Sequence, residues 1–128
     1  MNTKNITIFS EISPDIYANI DESMMMRVFI NLLSNAVTYG KIDGNIHFKL
    51  YSQEKMLIIE ISDDGIGISS EHIDKIWTRF YQVDPSRNSN GAGLGLSMVK
   101  WIVEAHNGNI SVTSEVGKGT VFTIQIPL

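Results

Sequence analysis

The apolar positions change period from segment to segment along the chain, and each change marks an element. In ITIFSEI, Ile6, Ile8, Ser10 and Ile12 share one face of a predicted strand. Asp21 is placed to cap the run ESMMMRVFINLLSNAVTY, where Met25, Phe29, Leu32, Leu33 and Ala36 recur at helical spacing up to a stop at Gly40. Ile46, Phe48 and Leu50 alternate, as do Leu57, Ile59 and Ile61, which predicts two antiparallel strands joined near Ser52 to Lys55. A short helix is expected from about Ser70 to Phe80, followed by a polar loop from Gln82 to Gly93. Met98, Val99, Ile102 and Val103 mark a second long helix that stops near Asn107 and Gly108. NISVTS and TVFTIQI close the chain as strands around a turn from Val116 to Gly119. The predicted class is α+β: a two-layer sandwich with about five mostly antiparallel strands and about three helices on one face.

Composition narrows the function classes. The chain has 128 residues, 43% hydrophobic and 19% charged, which suits a single domain over 1–128 with a substantial core. A formal net charge of -4 argues against a general nucleic-acid binder. With no cysteine, disulfides and thiolate metal sites are excluded. No apolar run is long enough to cross a bilayer, so no direct membrane insertion is expected of this chain, and a cytoplasmic location fits. His47, His72 and His106 are scattered, without the spacing of a metal site.

Three constellations carry candidate chemistry. Arg27, Asn31, Asn35 and Tyr39 follow one another at four-residue steps and form a stripe on one helix face. Asparagine is a mediocre helix former, so two of them mid-helix suggest a specific task for the amides. An amide carbonyl is a hard neutral oxygen suited to magnesium; a solvated polar face is the competing reading. SDDGIGI, Ser62 to Ile68, leaves a strand through Gly65 and Gly67, which let backbone approach a ligand closely. Asp63 at the strand end can accept from the exocyclic amine of adenine but repels the carbonyl of guanine; the competing reading is an ordinary Asp-Gly turn. SNGAGLGLSMVK brings Gly91, Gly93 and Gly95 to a helix start, where free N–H groups suit a phosphate. Leu96 excludes the dinucleotide-binding fingerprint and the kinase-type glycine loop. Lys118 followed by Gly119 excludes a Walker A loop. Between these constellations, Trp77, Phe80 and Tyr81 can pack the base of the loop, and Arg79 and Arg87 are candidate phosphate partners.

NLLSNAVTYG, DDGIGI, RFYQVD, GAGLGL and GKGT occur in that order over almost the whole chain. Together they resemble the catalytic and ATP-binding domain of bacterial sensor histidine kinases, within the gyrase, chaperone and mismatch-repair ATPase superfamily. The resemblance implies a Bergerat-type fold with a flexible ATP lid, ATP and magnesium as cofactors, and phosphoryl transfer to a histidine. Asn35 would coordinate magnesium and Asn31 would support the phosphates. Tyr39 would stack on adenine, Asp63 would bond its amino group, and Gly65, Gly67 and Ile68 would line the base pocket. Gly91, Gly93, Leu94, Gly95 and Leu96 would cradle phosphates, Thr120 would sit near the base, and Thr38 and Tyr81 complete the implied binding set. Asn31, Asn35 and Arg87 are the implied catalytic residues.

Three positions depart from the commonest pattern of the family: Thr38 stands where a basic residue is usual, Gln82 where Arg is frequent, and Ala92 where Thr is frequent. Lys41 could substitute for the first only from a different angle. Modest ATP affinity is the expectation. In the related hydrolases the position of Asn31 resembles a glutamate general base; an amide cannot take a proton, so transfer rather than hydrolysis is expected. The acceptor histidine would lie on a preceding dimerisation domain of the same parent, with a response regulator downstream and a membrane-anchored sensor as the whole. The rival expectations are an anti-sigma-type serine kinase and a non-catalytic nucleotide-binding module of the same fold.

Overall fold

The computed structural model describes residues 6–14, 16, 18, 20–78 and 95–128. Five strands form one sheet: β1 (Thr7–Ile12), β2 (Asn45–Gln53), β3 (Met56–Asp63), β4 (Asn109–Glu115) and β5 (Gly119–Pro127), in the order β1-β2-β3-β5-β4. β1 runs parallel to β2, and every other neighbour pair is antiparallel. Two helices, α1 (Glu22–Thr38) and α2 (Gly95–Ala105), lie among the described residues.

Alternation decides which face of the sheet is covered. Leu57, Ile59 and Ile61 of β3 and Phe122, Ile124 and Ile126 of β5 are buried in one cluster with Met25, Val28, Leu32 and Ala36 of α1 and Val99, Ile102 and Val103 of α2. Asp63 and Thr120 continue the same two rows at one end of the sheet, directly opposite each other in register. Ser114 of β4 pairs with Thr120 on the other side. The helix-facing surface is thus apolar along most of its length and ends in three adjacent polar residues.

The helix ends hold as their residue types dictate. The Asp21 carboxylate accepts from the Met24 N–H at 3.0 Å and from the Ser23 hydroxyl at 3.1 Å. At the other end the Tyr39 N–H closes α1 on the Asn35 carbonyl at 3.0 Å. Asn107, with φ 62, turns the chain out of α2, and the Gly108 N–H donates back to Val103 at 3.0 Å.

One expectation changes. Residues 70–78 form successive turns rather than a helix: the His72, Lys75 and Thr78 N–H groups each bond a carbonyl three residues back, at 3.0, 2.8 and 2.9 Å. The attachment of this segment comes from the buried Ile76 and from Trp77, which packs edge-on to Phe122 with centroids 5.9 Å apart. β1 forms, but as an edge strand whose residues are all exposed; Ile6, just before it, is the buried one. Phe80, Tyr81 and the predicted loop from Gln82 to Gly93 lie outside the described residues.

Leu32→Ala should cost about 2–5 kcal/mol of folding free energy, because it opens a cavity where α1 meets the sheet. Ile12→Ala, on the exposed edge strand, should stay within about 0.5 kcal/mol. Urea denaturation of the two variants distinguishes the sites.

Candidate functional site

The polar end of the sheet and the C-terminal half of α1 are brought together by a sharp exit from β3. Asp63 ends the strand, and its Oδ1 accepts from the Gly65 N–H at 2.9 Å. A side chain at Gly65 would collide with the Tyr39 carbonyl oxygen and with the Gly40 backbone. The next residue closes the contact: the Ile66 N–H donates to Tyr39 O at 3.1 Å. The turn after β3 therefore packs directly on the cap of α1, whose stripe of Asn31, Asn35 and Tyr39 leads away from it.

The base of the site is fixed from the other side by the β4–β5 turn. The Gly117 N–H donates to Ile66 O at 2.9 Å, and the Ile68 N–H donates to Ser114 Oγ at 2.7 Å. Gly67 has φ 76 and lies against the Glu115 backbone with no room for a Cβ. Ser114 Oγ also donates to Gly119 O at 2.9 Å and lies 2.7 Å from Thr120 Oγ1. Thr120 is 5% exposed, a buried polar residue in a face of aliphatic ones.

Asn31 occupies the border with α2. Its Nδ2 donates to the Arg27 carbonyl at 2.8 Å, which turns Oδ1 toward Gly95; a Cβ built on Gly95 would lie 3.1 Å from that oxygen. The first turn of α2 thus begins beside the stripe. Leu96 packs against the core, and Ile68 does the same from the β3 exit.

The two adjacent aspartates have opposite electrostatics. Burial raises the Asp63 carboxyl above the ordinary carboxylate value, the neighbouring Asp64 charge raises it further, and the N–H groups of Gly65 and Thr120 only partly oppose this. Burial also acts to raise Asp64, but hydrogen bonds from the Asn45 N–H at 2.8 Å and Asn45 Nδ2 at 3.1 Å outweigh it and hold it below the ordinary value, with Lys41 Nζ 3.9 Å away. Asp64 is a staple between the β3 exit and the start of β2. Asp63 is a half-buried carboxylate with no cation against it among the described residues.

The expected site residues thus fall into three groups. Asn31, Asn35, Tyr39, Asp63, Gly65, Gly67, Ile68, Gly95, Leu96 and Thr120 lie on the elements that converge here. Thr38, on the same turn of α1, is exposed. Tyr81, Arg87, Gly91, Gly93 and Leu94 lie outside the described residues. Lys41 is engaged by Asp64. Ser114, Asn45 and Asp64 were not singled out from the sequence. A polar residue at an inward position after Ile110 and Val112 is the signal that identifies Ser114.

This geometry fits an adenine nucleotide: a half-buried acceptor at the strand end, glycines where side chains would fill the approach, and a helix N-terminus beside an amide stripe. A family profile described as histidine kinase-, DNA gyrase B-, and HSP90-like ATPase matches residues 20–128. The chain belongs to that family. It is 40% identical over 127 residues to the sensor histidine kinase RppB of Synechocystis sp., an alignment that covers 97% of this chain and 28% of RppB. Among solved structures, a mycobacterial sensor histidine kinase, MprB, superposes with a TM-score of 0.83 at 27% identity, over 96% of this chain and 84% of that one. Full-length ShkA in complex with AMPPNP superposes with a TM-score of 0.84 at 27% identity, over 97% of this chain and 26% of that one. The chain is therefore a histidine-kinase-type ATPase domain that spans about a quarter of the curated relative it matches. Its fold is the expected one, and no helix among the described residues is long and apolar enough to cross a membrane.

The raised Asp63 carboxyl has a consequence for stability. A folded value above the unfolded one means that the native state binds the proton more tightly. The stability contribution of this group is then fully present below the ordinary value of 3.8 and is lost as pH rises through the raised folded value. Asp63→Asn does not titrate, so the variant without nucleotide should be at least as stable as the parent at pH 7. The stability difference in its favour should shrink on acidification. Thermal melts of both proteins from pH 4 to pH 8 check the sign.

Proposed function

We propose that this domain binds ATP with magnesium and serves phosphoryl transfer to a histidine on a separate acceptor domain of its parent protein. The observation that carries the reading is Asp63. Among the described residues this half-buried carboxylate, raised by its surroundings, meets two backbone N–H groups and no cation; it is costly to keep, and an amine-bearing base would offset that cost. The ATPase family and the AMPPNP bound to ShkA support the nucleotide.

In this reading Asp63 accepts from the adenine amino group, Gly65, Gly67 and Ile68 line the base, Tyr39 stacks on it, and Thr120 lies near it. Asn31 supports the phosphates, with the first turn of α2 at Gly95 and Leu96, the glycine segment carrying Gly91, Gly93 and Leu94, and Thr38 and Tyr81 at the margins. Asn35 presents the amide oxygen that would hold magnesium. Bound magnesium would neutralise phosphate charge and fix the geometry of the triphosphate. Arg87 would add a cation on the γ-phosphoryl oxygens.

The acceptor imidazole nitrogen attacks the γ-phosphorus. The bond to the β–γ bridging oxygen breaks, and ADP leaves. A neutral imidazole is already a nucleophile, so no side chain of this domain has to remove a proton before attack. Asn31 suits that economy, since an amide cannot act as the general base that water would require. Relatives named sensor histidine kinases support the acceptor domain, a response regulator as the next recipient, and a place on the cytoplasmic side of a membrane-anchored sensor. No nucleic-acid partner is proposed.

Asp63→Asn should weaken ADP and ATP binding at least tenfold, roughly 1.4 kcal/mol, while the circular dichroism spectrum is retained. Unchanged affinity by titration calorimetry would remove the adenine assignment. Asn35→Ala should leave binding of ATP in EDTA close to that of the parent but abolish the gain that magnesium gives. A magnesium gain equal to the parent's would take Asn35 out of the metal site.

A further inference from the structure

Ser114 is a polar residue at this end of the sheet that the nucleotide reading above does not use, and its hydrogen bonds are fully committed. A serine hydroxyl has one hydrogen and two lone pairs. The Ile68 N–H takes one lone pair at 2.7 Å. The Gly119 carbonyl, 2.9 Å away, can only accept, so it takes the hydrogen. Thr120 Oγ1, 2.7 Å away, must then donate its own hydrogen to the remaining lone pair of Ser114. The Thr120 hydroxyl is left with lone pairs only.

Thr120 stands opposite Asp63 in register, on the same helix-facing side of the sheet. An ionised Asp63 is also an acceptor only. We propose that Ser114, acting through Thr120 rather than on the nucleotide, is a positioning residue for base selectivity: by holding the Thr120 proton it makes the floor of the base site acceptor-only. A base or a bridging water that offers hydrogens, as adenine's amino group does, meets two acceptors. Guanine's 6-carbonyl, placed where adenine carries its amino group, meets two oxygens and no donor. Without Ser114 the threonine hydroxyl could rotate and offer its hydrogen to that carbonyl, and one of the two penalties against guanine would disappear.

The inference rests on the adenine reading, and the test separates the two. ADP and GDP affinities are measured by titration calorimetry on the 128-residue chain and on Ser114→Ala, Thr120→Val and the double variant. A parent protein with no preference for ADP over GDP would refute the adenine reading itself. Given a preference, Ser114→Ala should reduce the ADP-to-GDP ratio about tenfold, with GDP binding gaining, and should have no effect on the ratio in the Thr120→Val background. A purely structural role through Ile68 predicts the same change in both backgrounds, and that result overturns the proposal, as does an unchanged ratio in Ser114→Ala. If Ser114→Ala proves unfolded by circular dichroism, Ser114→Thr decides. Threonine keeps the hydroxyl and its bonds, so the parent ratio is expected, and a lost ratio in this folded variant counts against the wiring. Thr120→Val alone, close in shape to the parent residue, should lower the ratio several-fold by removing one acceptor; an undiminished ratio is likewise fatal.

Discussion

The missing side chain at Gly65 is the constraint on which the rest of the site depends. Only a residue without a Cβ lets the chain leave β3 against the carbonyl oxygen of Tyr39 and the backbone of Gly40. That contact ties the end of the central strand to the end of the long helix, and the bond from Ile66 to Tyr39 locks it. Everything functional is arranged around the joint. The stripe of amides runs back along α1 from it, Asp63 sits on its strand side, and the β4–β5 turn closes it from beneath through Gly117 and Ser114. A larger residue at position 65 would force the helix cap and the strand end apart, and the two halves of the site would separate with them.

The pair Asp63 and Asp64 shows how one turn can divide two identical side chains between stability and binding. Strand alternation points Asp63 toward the helices and gives it backbone N–H groups but, among the described residues, no cation. Asp64 falls outside the strand and meets Asn45 and Lys41. Burial acts on both carboxyls in the same direction, and the hydrogen bonds from Asn45 reverse the outcome for Asp64. The second aspartate therefore holds the turn in place, while the first is held by backbone N–H groups on the helix-facing side of the sheet. The charge on Asp64 also raises its neighbour, so the staple contributes to the tension at the site that it positions.

Much of this was legible in the residue pattern. The Asp21 cap, the span of α1, the β2–β3 pair and the strands around Val116 follow from local periodicity and turn chemistry, which act over a few residues and survive folding unchanged. The stripe of Asn31, Asn35 and Tyr39 was legible for the same reason, because helical geometry alone puts them on one face. What the pattern left open depended on tertiary context. The segment after Ser70 has helix-like apolar spacing, but Ile76 and Trp77 find their contacts without a completed helix. β1 has strand alternation, yet its place at the sheet edge leaves the apolar side chains of Ile8 and Ile12 uncovered. Ser114 continues the inward row of Ile110 and Val112, but its role depends on partners from two other stretches of chain, Ile68 after β3 and the adjacent Gly119 and Thr120 of β5.

The site also illustrates why a binding face cannot be optimised as a core. The row formed by Leu57, Ile59 and Ile61 would continue most stably with another aliphatic residue, and so would the row ending in Phe122, Ile124 and Ile126 at its Thr120 end. In place of those residues stand a carboxylate and a hydroxyl, with a serine beside them on β4. Replacing both partners of a buried polar contact by apolar groups is often neutral or stabilising, whereas removing one leaves the other unsatisfied. The three polar residues are therefore interdependent. Ser114 satisfies Ile68, Gly119 and Thr120 at once, and Asp63 draws on the Gly65 and Thr120 N–H groups. The stability of this end of the sheet therefore rests on polar partners held as a set, and changing any one of them changes what the others can offer.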